Sequence, residues 1–232
     1  MKKGFTLAEV LITLGIIGVI AAITIPALMT EINHIKLKSQ FKEAYSLLAQ
    51  AVKMYNEDYE RIEYKPNTAN LIYKSFIKYF KGATDCGDTG SNRGGKLCIT
   101  RIDEEGNVNK DSAYKNYAKN TEFITTTVLD DGQFFLMNNM LVMFDHNQKN
   151  PIVSIDLNGK AGKPNFWGHD VFTFELQESA KEGGFEIVPM GSPKSIYKDT
   201  NKYCSKNSNN TMNGIGCAYF AMTDSEYFKN LP

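Results

Sequence analysis

The residues best suited to chemistry lie at the amino-terminal end of the chain. Gly4 and Phe5 follow a short basic tip, and Glu9 is the only charged residue in the otherwise apolar or small run from Phe5 to Met29. No small-residue cleavage site follows the run, as it would in a secretory signal, so the plausible break lies before it, at the Gly4–Phe5 bond. Hydrolysis of this bond would leave the apolar segment on the protein, with a free amine on Phe5 at its new amino terminus.

Glu9 is a candidate functional residue because of its surroundings. A carboxylate inside a membrane-spanning segment costs roughly 2.5–3.5 kcal/mol on insertion scales, and such residues usually serve a function. Glu9 lies four positions after Phe5, so the carboxylate and the amine could meet within one helix. They could also meet between neighbouring helices that pack with a small axial stagger. In a low-dielectric setting the two charges attract far more strongly than in water.

The same apolar run predicts a membrane anchor. About 20 residues suffice for a helix to cross the hydrocarbon core of a bilayer, and the run from Phe5 to Met29 meets that length. Lys2 and Lys3 favour a cytoplasmic leader, although lysines also follow the anchor at positions 36, 38 and 42. A large translocated domain can override such nearby charges. We therefore predict a single-pass inner (cytoplasmic) membrane protein with its head outside the cytoplasm.

The stretch Lys-Lys-Gly-Phe-Thr-Leu-Ala-Glu-Val-Leu-Ile from Lys2 to Ile12 resembles the processing motif of type IV pilins and of the pseudopilins of type II secretion. The resemblance is close from Lys2 to Ala27 and weak beyond. In that family a membrane-embedded prepilin peptidase cuts after the glycine and N-methylates the new amino-terminal phenylalanine. The resemblance therefore implies cleavage between Gly4 and Phe5 and methylation of Phe5.

The resemblance also implies residues that act in assembly. Glu9 matches the glutamate that neutralises the amino terminus of a neighbouring subunit. Gly18 and Pro26 match a glycine and a helix-disrupting proline of the family. Proline removes a helical hydrogen bond and glycine weakens a helix, so we expect a kink or local melting between Gly18 and Pro26.

A structural subunit of a type IV pilus or a type II secretion pseudopilus is the function that this resemblance implies. Its partners would be copies of itself and other pilins in a helical filament, the prepilin peptidase and the inner-membrane assembly platform. Protein secretion, adhesion or motility, and DNA uptake are all roles of such filaments. The net charge of zero gives no support for nucleic-acid binding.

The alternative is an anchored extracytoplasmic binding domain or enzyme that does not polymerise. A plain signal anchor of that kind explains neither Glu9 nor the Gly4–Phe5 junction. The sequence contains no nucleophile elbow, phosphate loop or Cys-x-x-Cys motif, and the three histidines (His34, His146 and His169) lack the context of a triad or zinc set. We therefore predict that the protein is not an enzyme.

The predicted fold class is α+β, with a long amino-terminal helix packed on a head that contains a small antiparallel sheet. One helix is predicted from about Thr6 to about Asn56, because apolar residues recur at steps of three and four beyond the anchor: Leu37, Phe41, Tyr45, Leu48, Val52 and Tyr55. The predicted division is a leader (1–4), a transmembrane or filament-core helix (5–29), the amphipathic half of the same helix (30–56) and an extracytoplasmic globular head (57–232).

Within the head, a short second helix is predicted over 70–80, followed by a series of strands. Runs rich in β-branched and aromatic residues predict strands at 123–129, 133–137, 141–144, 152–155, 171–176 and 185–188. Asp131-Gly132 is typical of a hairpin turn and would join the first two. Hairpin-spaced strands without intervening helices predict an antiparallel sheet.

The four cysteines form two pairs that are local in sequence: Cys86 with Cys98, and Cys204 with Cys217. An even number of cysteines outside the cytoplasm favours disulfides. Three connectivities are possible, of which local pairing is the simplest. A zinc site is the weaker alternative, because neither pair has the short spacing typical of zinc ligands. The second pair would bracket the polar segment 207–213. Either the disulfide only holds this end of the chain in place, or the segment is a surface loop with a binding role.

The segment 156–170 contains the densest set of potential oxygen ligands. Asp156, Asn158, Asn165 and Asp170 could supply side-chain oxygens to calcium, which favours carboxylates and carbonyls on flexible loops. Gly159 comes too early for the EF-hand spacing, and Lys160 takes a ligand position. The sequence therefore favours a tight turn between two strands and no cofactor, with calcium as the open alternative.

Overall fold

The computed structural model of the chain describes residues 4–58, 71–87, 97–99, 110–111, 113–146, 150–179 and 184–232. The first helix, α1, is Leu7–Asp58. It is helical throughout the stretch from Gly18 to Pro26, so the predicted local melting is not seen in the single chain. The chain divides into two compact units, and the division falls between Lys36 and Leu37.

The amino-terminal unit has the properties of an anchor by length and composition. Among the described residues, α1 is the one helix long and apolar enough to cross a membrane. Its large apolar side chains, such as Leu11, Ile17 and Ile23, are exposed in the single chain. Exposed apolar surface of this extent is typical of a segment that lies in lipid or against other chains.

The head unit is built around one antiparallel sheet. Its six strands are arranged in the order β1-β4-β5-β6-β7-β8. Their bounds are Thr84–Gly87 (β1), Gly132–Phe135 (β4), Leu141–Asp145 (β5), Ile152–Asp156 (β6), Val171–Glu178 (β7) and Phe185–Pro189 (β8). A separate pair joins β2, Lys110–Asp111, to β3, Ile124–Thr125. The predicted α+β class is confirmed.

The predicted hairpin at Asp131-Gly132 is wrong. The segment 123–129 contributes only Ile124–Thr125 as a strand, which pairs with β2. Gly132 instead opens β4 and pairs with Phe144. A side chain at this position would place its Cβ 2.1 Å from the ring of Tyr73, in the short second helix α2, Leu71–Ile77. The glycine is therefore required by the close approach of a helix, and not by a turn.

Both faces of the sheet are covered. Alternate strand residues such as Phe172 and Phe174 pack against the second part of α1, where the rings of Phe41 and Phe172 are 4.6 Å apart. The intervening residues, such as Met143, face a second core that contains Trp167 and Ile215. Burial on both faces explains why every residue of β5 and β6 is buried, including the polar Ser154 and Asp156.

The carboxyl-terminal segment packs onto the sheet and completes the head. It contains two short helices, α3 (Thr200–Tyr203) and α4 (Ala218–Thr223), and 3₁₀ turns at Ile215–Cys217 and Tyr227–Asn230. Tyr227 is buried and donates its hydroxyl hydrogen bond to the carbonyl of Gly168 at 2.6 Å.

Candidate functional site

The amino-terminal end of α1 is closed by a reciprocal pair of hydrogen bonds between Thr6 and Glu9. The Glu9 Oε2 atom accepts from the Thr6 backbone N–H at 2.8 Å and from the Thr6 hydroxyl at 2.8 Å. The Glu9 backbone N–H donates to the Thr6 hydroxyl oxygen at 3.3 Å. This arrangement is a capping box, which satisfies backbone groups that the first helical turn leaves free.

The capping box also orients the Glu9 side chain. Both bonds from Thr6 go to Oε2, and none of the described residues donates a hydrogen bond to Oε1. The carboxylate is thus held by one oxygen and offers the other to a further donor. Thr6 was not predicted as a functional residue, although the Thr-x-x-Glu spacing before an apolar run is the local signature that could have identified it.

The structure places the other predicted amino-terminal residues as follows. Phe5 is 89% exposed. A Cβ atom added at Gly4 or at Gly18 would meet no heavy atom within 4 Å. The fold of the single chain therefore does not require glycine at either position. Gly18 and Pro26 lie farther along the same helix.

The turn between β6 and β7 brings together Asp156 and Asp170, which are fully buried. Asp156 Oδ1 accepts from the backbone N–H groups of Asn158 (3.1 Å) and Gly159 (2.9 Å), and its Oδ2 accepts from the hydroxyl of Tyr114 (2.6 Å). Burial raises the pKa of both aspartates, and the charge of Asp156 raises the pKa of Asp170 further.

Asn158 and Asn165 complete this turn. Asn165 donates its backbone N–H to Asp170 Oδ2 at 2.8 Å. The side-chain Nδ2 groups of Asn158 and Asn165 donate to the carbonyls of Lys163 (2.7 Å) and Lys160 (2.9 Å). Their Oδ1 atoms are both buried and accept no hydrogen bond from the described residues. The four residues considered as calcium ligands therefore lie in one turn.

The cysteines form the local pairs. Cys86 is bonded to Cys98 and Cys204 to Cys217. Two buried asparagines bond to the polar segment that the second disulfide brackets: Asn213 belongs to the segment, and Asn116 lies elsewhere in the head. Asn213 donates to the carbonyls of Ser205 (2.8 Å) and Ser208 (2.9 Å), and Asn116 donates to the carbonyl of Asn210 (3.1 Å). The loop is thus organised by its own Asn213 and joined to the rest of the head by Asn116.

Removing the second disulfide is expected to destabilise the head. Replacing Cys204 and Cys217 together with serine opens a loop with a sequence separation of 13 residues, which costs about 3 kcal/mol in the chain-entropy model. Urea unfolding of the detergent-solubilised chain measures the change. The Cys86 and Cys98 double serine variant is the comparison. It opens a loop with a sequence separation of 12 and should lose a similar free energy of unfolding. A loss below about 1 kcal/mol in the first variant would contradict the expectation.

The histidines are separate from these features. His169 Nε2 lies 3.0 Å from the carbonyl oxygen of Tyr117, and burial lowers its pKa to about 4. Burial also lowers the pKa of His146. His34 lies in α1. Among the described residues, no three His, Cys, Asp or Glu side chains gather in a metal-binding group.

Comparison with known proteins identifies the amino-terminal segment. Residues 1–25 match the family model described as the prokaryotic N-terminal methylation motif. No curated protein and no solved structure matches the chain significantly. The match covers the candidate cleavage bond together with Thr6, Glu9 and Gly18, and it ends one residue before Pro26.

Proposed function

Because the chain carries the N-terminal methylation motif that is the hallmark of type IV pilin and pseudopilin precursors, we propose that it is a structural subunit of a type IV pilus or a type II secretion pseudopilus. The motif, which joins the basic tip, the Gly4–Phe5 junction, Glu9 and the apolar run, is the observation that carries this function. It indicates a structural and not a catalytic role. Filaments that act in secretion, in adhesion or motility, and in DNA uptake are all built from subunits with this type of anchor.

Prepilin peptidase cleaves the Gly4–Phe5 bond and methylates the Phe5 amine in this proposal. The surroundings of Gly4 support it, because an added Cβ would meet nothing within 4 Å in the chain itself. The need for a small residue at this position then comes from the peptidase. Residues 1–4 are the leader, 5–29 the membrane and filament-core segment, 30–56 the amphipathic half of the helix, and 57–232 the extracytoplasmic head.

The head lies outside the cytoplasm in this proposal. Two disulfides support that location, because disulfides persist in oxidising compartments. Before assembly, the subunit is a single-pass protein of the inner membrane. The assembly platform then moves it into a periplasmic or surface filament with copies of itself and other pilins.

Assembly uses the Glu9 carboxylate. Its Oε2 atom is held by Thr6, and Oε1 accepts a hydrogen bond from the Phe5 amine of a neighbouring subunit. The apolar helices supply most of the association by burying surface against one another, and the charge pair sets the register between them.

The intact mass of the mature protein tests the proposal. After co-expression with a prepilin peptidase, we expect the chain to lose Met1–Gly4 and gain one methyl group. Gly4→Ala should be processed at the same rate or more slowly, whereas Gly4→Trp should block cleavage. Gly18→Ala is the control, since Gly18 is equally free of neighbours but lies away from the junction.

Two results would overturn this function. One is a native chain that keeps its initiator methionine, and the other is a Gly4→Trp variant with the same mature mass as the unaltered protein. A chain that is anchored but never co-sediments with filaments would instead be a tethered binding domain or enzyme.

A further inference from the structure

We propose that Gln133 is a positioning residue for the formation of the Cys86–Cys98 disulfide. It holds the chain beside each cysteine, so that the two thiols face each other once β4 has joined the sheet. The proposal concerns the oxidative maturation of the head and does not depend on the filament role of the chain. It assigns a role to a buried polar side chain that the anchor and the assembly residues do not explain.

The side chain of Gln133 is bonded to the residue that follows Cys98. Gln133 lies in β4 and is only 1% exposed. Its Oε1 atom accepts from the backbone N–H of Ile99 at 2.9 Å, and its Nε2 group donates to the carbonyl of Ile99 at 2.6 Å. The amide thus exchanges two hydrogen bonds with one residue, as two opposite residues do in an antiparallel ladder.

The backbone of Gln133 is paired with the residue that follows the other cysteine. In the ladder between β1 and β4, Gly87 lies opposite Gln133. The register shifts between Asp85 and Gly87, so Cys86 is the extra residue of a bulge. A bulge redirects the side chains of its strand. Cys86 is accordingly buried although Asp85, the residue before it, is exposed.

Gln133 therefore connects two segments that the disulfide must join. The described residues 97–99 lie outside every strand, so the Gln133 side chain supplies the backbone hydrogen bonds that a strand neighbour would give. Ile99 is 2% exposed, and buried backbone groups without partners are costly. The segment that carries Cys98 is thus most stable where Gln133 places it, beside β1.

The chemistry of disulfide formation shows where this placement matters. With oxidised glutathione, one cysteine thiolate attacks the glutathione disulfide, and one reduced glutathione leaves. The second cysteine thiolate then attacks the protein sulfur of this mixed disulfide, and the second glutathione leaves. The two cysteines lose two electrons, which the oxidant gains, and their two protons end on the glutathione thiols. Gln133 acts on the second exchange, because it sets how often the two protein sulfurs meet.

The redox equilibrium of the full chain in detergent tests this role. The reduced chain is equilibrated with mixtures of reduced and oxidised glutathione and alkylated, and mass spectrometry of its peptides quantifies each disulfide. Gln133→Met keeps the size of the side chain but loses both bonds to Ile99. The equilibrium constant for Cys86–Cys98 should fall at least about fivefold, the combined worth of two modest hydrogen bonds. The constant for Cys204–Cys217 should not change.

Two further variants separate positioning from general stability. Gln133→Asn keeps an amide, but its side chain is one methylene too short to reach both groups of Ile99, so it should show the same selective loss. Ser154→Ala is the control, because the buried Ser154 hydroxyl bonds with Thr173 in the neighbouring strand at 2.8 Å. Its removal should leave the ratio of the two equilibrium constants unchanged.

The ratio of the two equilibrium constants decides the outcome. A loss confined to Cys86–Cys98 in either Gln133 variant, with more of the mixed disulfide at these two cysteines, supports the proposal. It is overturned if neither variant shows that loss, whether both disulfides form normally or both weaken equally. It is likewise overturned if Ser154→Ala causes the same selective loss.

Discussion

Replacing Glu9 with alanine is expected to remove the protein from filaments while leaving its maturation intact. The proposed cleavage bond lies five residues before Glu9, so we expect a prepilin peptidase still to act on the variant. In the filament core, however, the Phe5 amine of the neighbouring subunit would lose its anionic partner. Removing one member of a buried charge pair typically costs about 3–5 kcal/mol, because the other charge stays buried and unpaired. At every subunit contact, that loss corresponds to at least a hundredfold weaker association.

The measurement compares two quantities in the same cells: the mature mass of the chain and its amount in sheared, sedimented filaments. Glu9→Gln keeps the shape of the side chain without its charge and should fail in the same way. Thr6→Val removes one of the two hydrogen bonds that orient Glu9 and should cause a smaller defect, which Thr6→Ser restores. Normal incorporation of Glu9→Ala would refute the role of the carboxylate in assembly.

Thr13→Val is the matched control for the threonine variants. The Thr13 hydroxyl donates to the carbonyls of Glu9 and Val10, both at 3.0 Å, and so bonds only within its own helix. Its removal should leave filament incorporation unchanged. If Thr13→Val caused a defect as large as that of Thr6→Val, the loss of any threonine hydroxyl in this segment would impair incorporation. The orientation of Glu9 would then not explain the Thr6→Val defect.

Replacing Gly191 with alanine is expected to destabilise the head strongly. Gly191 follows β8 with a φ of +94°, and a Cβ added there would lie 1.8 Å from the carbonyl oxygen of Gly216. The obstacle is backbone next to the disulfide-bonded Cys217, so no side chain can rotate away. Overpacking of about 1–3 kcal/mol adds to about 1–2 kcal/mol for the left-handed conformation. We expect a total loss of about 2–5 kcal/mol in the free energy of unfolding.

Urea unfolding of the detergent-solubilised chain measures this loss. Ser192→Ala is the neighbouring control, because the buried Ser192 hydroxyl has no hydrogen-bond partner among the described residues. Deleting such a group should change the free energy of unfolding by less than about 1 kcal/mol. If Gly191→Ala were as stable as Ser192→Ala, the close approach of the two backbone segments would be disproved.

Several features of this protein could be read from the sequence because they are local. The predicted cleavage bond, Glu9 and the apolar helix all lie within one short stretch whose spacing is informative without any tertiary contact. The strands β5 to β8 were predicted within a few residues, since their apolar runs are bounded by turn residues. The capping role of Thr6 is also local, and its spacing with Glu9 contained the signal.

The tertiary structure decided what depends on residues far apart in the chain. Asp131-Gly132 has the composition of a hairpin turn, yet Gly132 lies in a strand because Tyr73 packs against it. The second covered face of the sheet likewise depends on long-range packing, whereas both disulfides join cysteines only 12 and 13 positions apart. The antiparallel pairing of β6 with β7 places Asp156 beside Asp170, which are fourteen positions apart in sequence. Such juxtapositions follow from strand register and burial, and spacing along the chain does not encode them by itself.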